Sequence, residues 1–303
     1  MNQRQRKMVA LLGKMPADVQ TALGDDFDLV DAAKVQVLAQ AEQQAISHGV
    51  TSAMGGVDQQ MLKALPALTT IASVGAGLDK FDLAGLAAQG IDVTPTPHVM
   101  VEDTAEYAVG LIFAVLRNIV SNDRFVRSGR WAEARAPFGA RVSERKVGIL
   151  GLGRIGGRVA SKLDALGCAI SYAGRNAKDV PWPFVPDIAD LAASVDVLVL
   201  TCAGGAATQG IVNAEVLQRL GPQGVLINVS RGSVVDEAAL ITALVQDQIA
   251  GAALDVFEDE PMPNPKFFDA PTCILSPHAA VYTRENRRDL IAEIKRLLSD
   301  NVQ

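Results

Sequence analysis

Three ionisable side chains of the 303-residue chain follow apolar runs in a way that suits chemistry: Arg231 just after GVLINVS, Glu260 in the loop after IAGAALDVF, and His278 just after TCILSP. If each run is a strand of one parallel sheet, all three stand at the carboxyl edge, where open α/β sheets bind ligands. An arginine there can hold a carboxylate or polarise a carbonyl oxygen, and a carboxylate beside an imidazole stabilises the imidazolium. Hydride transfer to a carbonyl leaves an alkoxide unless a proton arrives with it, so such a set suits carbonyl reduction with histidine as donor. The plainer alternative is a structural histidine with salt-bridged or solvated loop charges. The remaining histidines offer less: His48 reads as a surface or packing residue, and His98 sits in a proline-rich crossing with nothing nearby to tune it.

A second pattern supplies a partner for that chemistry. KVGILGLGRIGGRVASKLDALG holds GxGxxG at Gly151, Gly153 and Gly156, between an apolar strand and an amphipathic helix. In this context Gly151 permits the tight turn, Gly153 lets a pyrophosphate approach the backbone, and Gly156 lets helix and strand pack closely. The helix N-terminus offers N–H groups to the anion, and Arg154 adds a charge. A glycine-rich turn that binds nothing is the bland reading, and the surrounding βα units weigh against it.

The ribose of a dinucleotide usually meets an acid about 20 residues further on. The segment SYAGRN, 171–176, has none. A carboxylate would repel a 2′-phosphate, whereas the Arg175 guanidinium can pair with one bidentately, helped by Gly174 and Asn176. The ligand is therefore expected to be NADP(H) in preference to NAD(H). A solvated turn arginine, with Asp179 or the backbone serving the ribose, is the competing view.

The elements that must position these residues alternate between β-rich and helix-period runs, the mark of an α/β fold with parallel sheets. MVALLG, FDLVD, the apolar segment AISHG, TTIASVG and IDVTPTP belong to a first sheet of about a hundred residues, an ordinary domain size. TPTP with His98 reads as a crossing between domains. One long helical pattern covers Glu102 to about Val126, and KVGIL, CAISYA, VDVLVLT, GVLINVS, IAGAALDVF and TCILSP follow as strands of a second sheet. The helical RENRRDLIAEIKRLLSDN reads as a return to the first domain.

Composition narrows the classes. The chain is 49% apolar and 20% charged, which argues against long disordered tracts. A net charge of −6 supplies no field for nucleic acid or an anionic membrane. No apolar run approaches the roughly 18 residues of a membrane span, and the early Gly13, Lys14 and Pro16 interrupt any secretory segment. Cys168, Cys202 and Cys273 are far apart and match no disulfide or metal framework, which favours reduced thiols and the cytoplasm. No metal site is expected.

Taken in order, GLGRIG, NVSRG, ALDVFEDEP and SPHAA closely resemble the D-isomer-specific 2-hydroxyacid dehydrogenases, with LPALTTIASVGAGLDKFDL and VEDTAEYAVGLI extending the likeness across almost the whole chain. The resemblance implies two Rossmann-like or flavodoxin-like domains, the cofactor domain (99–282) inserted into a substrate domain (1–98 with 283–303). It implies that Arg231 orients the substrate, His278 is the general acid, Glu260 raises the basicity of His278, and the backbone of Ala76 and Gly77 grips the substrate carboxylate. It assigns cofactor contacts to Thr104, Ile155, Thr201, Cys202, Ala203, Val229, Asp255 and Ala280 besides the glycine turn. The AGRN tip is similar to that of NADPH-preferring glyoxylate, hydroxypyruvate and hydroxyphenylpyruvate reductases, and the helix near 102–126 implies a homodimer.

Three departures from the family pattern stand out: CAGGAA at 202–207 in place of a proline-containing turn, Tyr282 after HAAV, and a short tail. Two other classes fit the scaffold, a nucleotide-sensing protein like the C-terminal-binding protein corepressors and a formate or phosphite dehydrogenase. The lack of an evident docking extension weighs against the first, and the NADPH-like tip against the second.

Overall fold

The structure, a computed structural model, describes residues 6–53, 55–78 and 80–300. The chain divides into two compact units, Met1–Met100 with Tyr282–Gln303, and Val101–Val281.

In the first unit β1 (Met8–Leu11), α1 (Ala17–Gly24), β2 (Asp28–Val30), α2 (Ala32–Val35), α3 (Gln40–Gln43), β3 (His48–Ser52), α4 (Gln59–Ala64), β4 (Thr70–Val74), α5 (Leu83–Ala88) and β5 (Asp92–Pro95) follow one another. The strands pair in parallel in the order β2-β1-β3-β4-β5, a flavodoxin-like arrangement. Both faces of the sheet are covered, which is why its strands read as nearly continuous apolar runs. Ala10, Ile46, Leu65 and Ile71 are buried on one face. Val9, Val19, Leu23 and Val50 are buried on the other with Leu290, Ile294 and Leu298 of the closing helix, Arg284–Ser299. Helix starts are marked by acids and a threonine: Asp58 accepts from Gln60 N and Met61 N, Asp82 from Gly85 N, and Thr283 from Asn286 N.

The apolar segment AISHG contributes only His48 and Gly49 to β3. Ala45 N and Ile46 N donate back to Glu42 and Gln43 carbonyls, so the backbone there still turns and pairing begins two residues later. His48 is a packing residue, 2% exposed. Its Nδ1 lies 2.8 Å from Ser47 Oγ, its Nε2 3.0 Å from the Asp300 carbonyl, and Lys7 Nζ donates to the Leu298 carbonyl at 2.8 Å. His98 stands half exposed, its Nε2 3.5 Å from Glu293 Oε1.

The second unit comprises α6 (Val101–Leu116), α7 (Ile119–Arg127), β6 (Lys146–Leu150), α8 (Arg154–Ala165), β7 (Ala169–Ala173), α9 (Ile188–Ser194), β8 (Val197–Leu200), α10 (Ala214–Leu220), β9 (Val225–Asn228), α11 (Glu237–Val245), β10 (Gly251–Leu254) and β11 (Cys273–Leu275); the closing helix is α12. Its parallel sheet has the order β11-β10-β9-β8-β6-β7. Outside β7 a further strand is reduced to one bridge, Tyr172 with Phe184, held by Tyr172 N on Pro183 O and Val185 N on Tyr172 O. Strand order reverses at β6, so the loop after β6 lies at the topological switch point.

The single helix expected over Glu102 to about Val126 is two helices. Asn118 adopts φ 55° between α6 and α7, a left-handed conformation that asparagine tolerates better than most residues. The break is fixed from outside: Ala140 N donates to the Leu116 carbonyl, and Gly139 passes so close that a Cβ there would lie 2.7 Å from the same oxygen. Among the described residues no helix is long and apolar enough to cross a membrane.

Candidate active site

The loop after β6 is built around its glycines. Gly151 has φ +94°, and a Cβ on it would fall 2.5 Å from Cys202 Cα; one on Gly156 would fall 2.3 Å from the Gly151 carbonyl and 2.6 Å from Thr201 Oγ1. Both positions are closed to larger residues by protein atoms. Gly153 differs: it is exposed, and a Cβ there would meet no protein atom within 4 Å. The surface at Gly153 is therefore open, at the N-terminus of the twelve-residue α8, where no side chain caps the helix. This arrangement fits a pyrophosphate. Arg154 is exposed and Ile155 half-buried on the first turn of α8, and Thr201, after β8, donates to the Gly151 carbonyl at 2.8 Å.

At the tip of β7, Gly174 is half-buried and Arg175 and Asn176 are exposed. The turn after β8 runs through half-buried Cys202 and exposed Ala203 to Gly205, at φ +125°. Burial pushes the Cys202 thiol up to about 11, so it is not a reactive thiolate near neutrality. Thr104 on α6 and Val229 after β9 are buried.

The three reacting candidates lie in the second unit on consecutive strand ends. Asn228, the last residue of β9, braces the Arg231 loop: its Nδ2 donates to the Arg231 carbonyl at 2.9 Å, and its Oδ1 accepts from Ser230 N and Oγ. Arg231 Nη1 donates to the Ser230 carbonyl. Gly232 then packs against the loop after β10, where Glu260 lies. Glu260 Oε1 accepts from Phe257 N at 3.0 Å and Oε2 meets His278 Nδ1 at 2.8 Å. Burial raises the Glu260 carboxyl, but the bonds from His278 and Phe257 and the charges of His278 and Arg231 outweigh it and hold the group below its usual range. The three side chains thus form one electrostatic unit. With Nδ1 engaged by the carboxylate, Nε2 is the imidazole nitrogen left to exchange a proton.

His278 itself has φ 55°, a strained setting for a residue that is not glycine. Asp255, 1% exposed at the end of β10, brackets it. Its Oδ1 accepts from Ser276 Oγ and Ala279 N, and its Oδ2 from Ala280 N. Sequence reasoning noted Asp255 and Ala280 but missed this clasp. It also missed Glu237, a buried first-turn residue of α11 whose Oε1 accepts from Glu258 N at 2.8 Å and so steadies the Glu260 loop. Burial, aided by Glu258 and Asp259, raises the Glu237 carboxyl. An acid following VVD just before an apolar helix was the available signal.

Ala76 and Gly77 belong to the first unit, on the loop after β4. Gly75 before them takes φ +131° and donates its N–H to Thr96 Oγ1 at 3.1 Å. A Cβ on Gly75 would lie 2.6 Å from Ala53 Cβ, so this sharp exit from the strand depends on glycine.

Comparison with known proteins agrees with this geometry. The model of the D-isomer specific 2-hydroxyacid dehydrogenase NAD binding domain matches residues 109–280. Glyoxylate/hydroxypyruvate reductase A of Arabidopsis thaliana is 39% identical over 283 residues, covering 92% of this chain and 90% of that protein. The 2-hydroxyacid dehydrogenase of Ketogulonicigenium vulgare superposes with a TM-score of 0.88 at 38% identity, covering 96% of this chain and 94% of the other. The NADPH-dependent glyoxylate/hydroxypyruvate reductase of Sinorhizobium meliloti, solved with NADP and malonate, superposes at 0.85 with 37% identity, covering 95% and 91%. A glycine turn at the switch point, a histidine bonded to a glutamate on neighbouring strand ends, and likeness over nearly the full length lead to one assignment: the chain belongs to the D-isomer-specific 2-hydroxyacid dehydrogenase family.

Proposed function

We propose that this protein reduces a short 2-oxo acid, of the glyoxylate or hydroxypyruvate kind, to the D-2-hydroxy acid, using NADPH in preference to NADH. The observation that carries the reading is the 2.8 Å contact of His278 Nδ1 with Glu260 Oε2 in the unit that also bears the glycine turn. When bound, the reduced nicotinamide supplies the hydride. Gly151, Gly153, Arg154, Ile155 and Gly156 hold the pyrophosphate, Gly174, Arg175 and Asn176 the 2′-phosphate, and Thr104, Thr201, Cys202, Ala203, Val229, Asp255 and Ala280 complete the contacts.

The chain's own contribution is a proton and an orientation. Arg231 pairs with the substrate carboxylate and draws electron density towards the carbonyl oxygen. In the first unit, the loop after β4 at Ala76 and Gly77 offers backbone N–H groups of the kind that receive a carboxylate. His278 gives its Nε2 proton to the oxygen as the alcohol forms, and the Glu260 carboxylate, bonded to Nδ1, fixes the orientation of the ring for that step.

The names of the matched relatives support reduction over the alternatives. The Arabidopsis and Sinorhizobium proteins are named as reductases of glyoxylate and hydroxypyruvate, the latter NADPH-dependent. Loss of nicotinamide absorbance across a panel of 2-oxo acids with each reduced nucleotide tests the reading. Turnover of glyoxylate or hydroxypyruvate with NADPH is expected. A tightly held but unconsumed nucleotide would instead indicate a sensor, and oxidation of formate or phosphite a dehydrogenase of those acids.

The same proposal includes a cytoplasmic homodimer. Free Cys168, Cys202 and Cys273 suit a reducing compartment. Ile119, Val126, Trp131 and Phe138 are exposed apolar side chains on and after α7, of the kind that a second copy would cover. Light scattering of the purified protein tests the dimer.

A further inference from the structure

We propose that Tyr107 is a positioning residue for His278, acting through Ser276 and Asp255. The inference rests on the reading of His278 as proton donor and adds a group from α6, outside the strand-end loops. Tyr107 Oη lies 2.5 Å from Ser276 Oγ, and Ser276 Oγ lies 2.5 Å from Asp255 Oδ1. A carboxylate oxygen accepts, so the single hydroxyl proton of Ser276 points to Asp255. The serine oxygen then accepts from Tyr107, and the direction of the chain is fixed: tyrosine to serine to aspartate.

What the chain ends on gives it a purpose. Asp255 also takes the N–H groups of Ala279 and Ala280, at 2.8 and 2.9 Å. One carboxylate therefore holds the chain on both sides of His278, through the Ser276 hydroxyl before it and the N–H groups of two alanines after it, while the residue between is held at φ 55°. Such a conformation persists only where its surroundings over-determine it. Ser276 and Asp255 are 5% and 1% exposed, so water does not readily replace a missing donor. Removing the tyrosine hydroxyl leaves Ser276 Oγ with its bond to Asp255 but without its donor, and the bracket around His278 loosens. Phenylalanine preserves the ring, which packs at the edge of the core formed by Ala108, Ile112 and Val147, so the hydroxyl is isolated as the variable.

The test is Tyr107→Phe beside Ser276→Ala, the double variant and His278→Ala. For Tyr107→Phe, kcat with glyoxylate and NADPH is expected to fall about tenfold, as small misplacements of a reacting group do, with KM and NADPH affinity within about twofold of the parent. Amide exchange of Ala279 and Ala280 in the nucleotide-free protein is expected to accelerate, and the double variant to be no worse than the poorer single one. Parental kcat and exchange in Tyr107→Phe, or a loss confined to KM, would overturn the proposal. The control separates the two levels of inference. An inactive His278→Ala beside a normal Tyr107→Phe removes the tyrosine alone; a fully active His278→Ala removes the proton-donor reading and this proposal with it.

Discussion

Gly232 lies directly against the backbone of Phe257: a Cβ on it would fall 1.9 Å from the Phe257 carbonyl carbon and 2.2 Å from Glu258 N. The loop bearing Arg231 and the loop bearing Glu260 therefore meet main chain to main chain, with no side chain between them to yield. Gly232→Ala must push the loops apart. Overpacking of this kind costs about 1–3 kcal/mol, more where the obstacle is backbone. Urea unfolding should show the loss, and the kcat of the variant should fall further than its stability does, because Arg231 and Glu260 separate. Unchanged kcat in a folded variant would mean that the spacing does not matter to turnover.

Burial raises the Glu260 carboxyl, but its bonds from His278 and Phe257 and the nearby positive charges outweigh that effect and hold it below the usual carboxylate value. A carboxyl whose folded pKa lies below its unfolded value of about 4.3 adds stability that is fully present above that value and is lost as pH falls through the folded one. Glu260→Gln should therefore narrow the stability difference from the parent as acid denaturation proceeds. At neutral pH the same variant should lower kcat by about 10²-fold, at the lower end for acid–base catalysis, with NADPH binding retained. Acid titration followed by circular dichroism and steady-state kinetics check the two halves.

His48 titrates in the opposite chemical sense with the same consequence for stability. Burial first, and then Lys7, push its pKa below the ordinary histidine value, against smaller upward pulls from Asp300. The unfolded chain binds the proton more readily, so stability is full above about pH 6.5 and declines as pH falls through the folded value. His48→Gln should flatten that decline. Urea midpoints measured from pH 8 down to pH 5 decide it; identical slopes for both proteins would remove His48 as the cause.

Arg175→Asp should exchange the preferred nucleotide, since a carboxylate repels a 2′-phosphate and accepts from a free ribose hydroxyl. The ratio of kcat/KM for NADPH over NADH is expected to fall by about a hundredfold, on the scale of one charge-assisted pair lost. An unaltered ratio would dismiss the arginine as a solvated turn residue.

How much of this could be read from the chain alone varies with sequence distance. The six strands of the second sheet and the glycine turn were legible because apolar runs and the residues that end them are local signals. Arg231, Glu260 and His278 were legible for the same reason, each standing just beyond such a run. The break at Asn118 was not, because it is imposed by Gly139 and Ala140, which return from more than about twenty residues further along the chain. The clasp of Tyr107, Ser276 and Asp255 was hidden more deeply still: the tyrosine precedes the serine by 169 positions and sits in an otherwise ordinary helical pattern. The α2–α3 region was obscured by its brevity, since four-residue helices present no full period to recognise.

The packing of α12 on the first sheet has a bearing on how the molecule is made. Val9, Val19 and Val50 are buried against Leu290, Ile294 and Leu298, residues that leave the ribosome long after the strands they cover. The intervening nucleotide-binding half has all its strands, and so its own interior, before that cover arrives. During synthesis the half made second can therefore mature first, while the opening half keeps an oily flank on offer to chaperones or to neighbouring nascent chains.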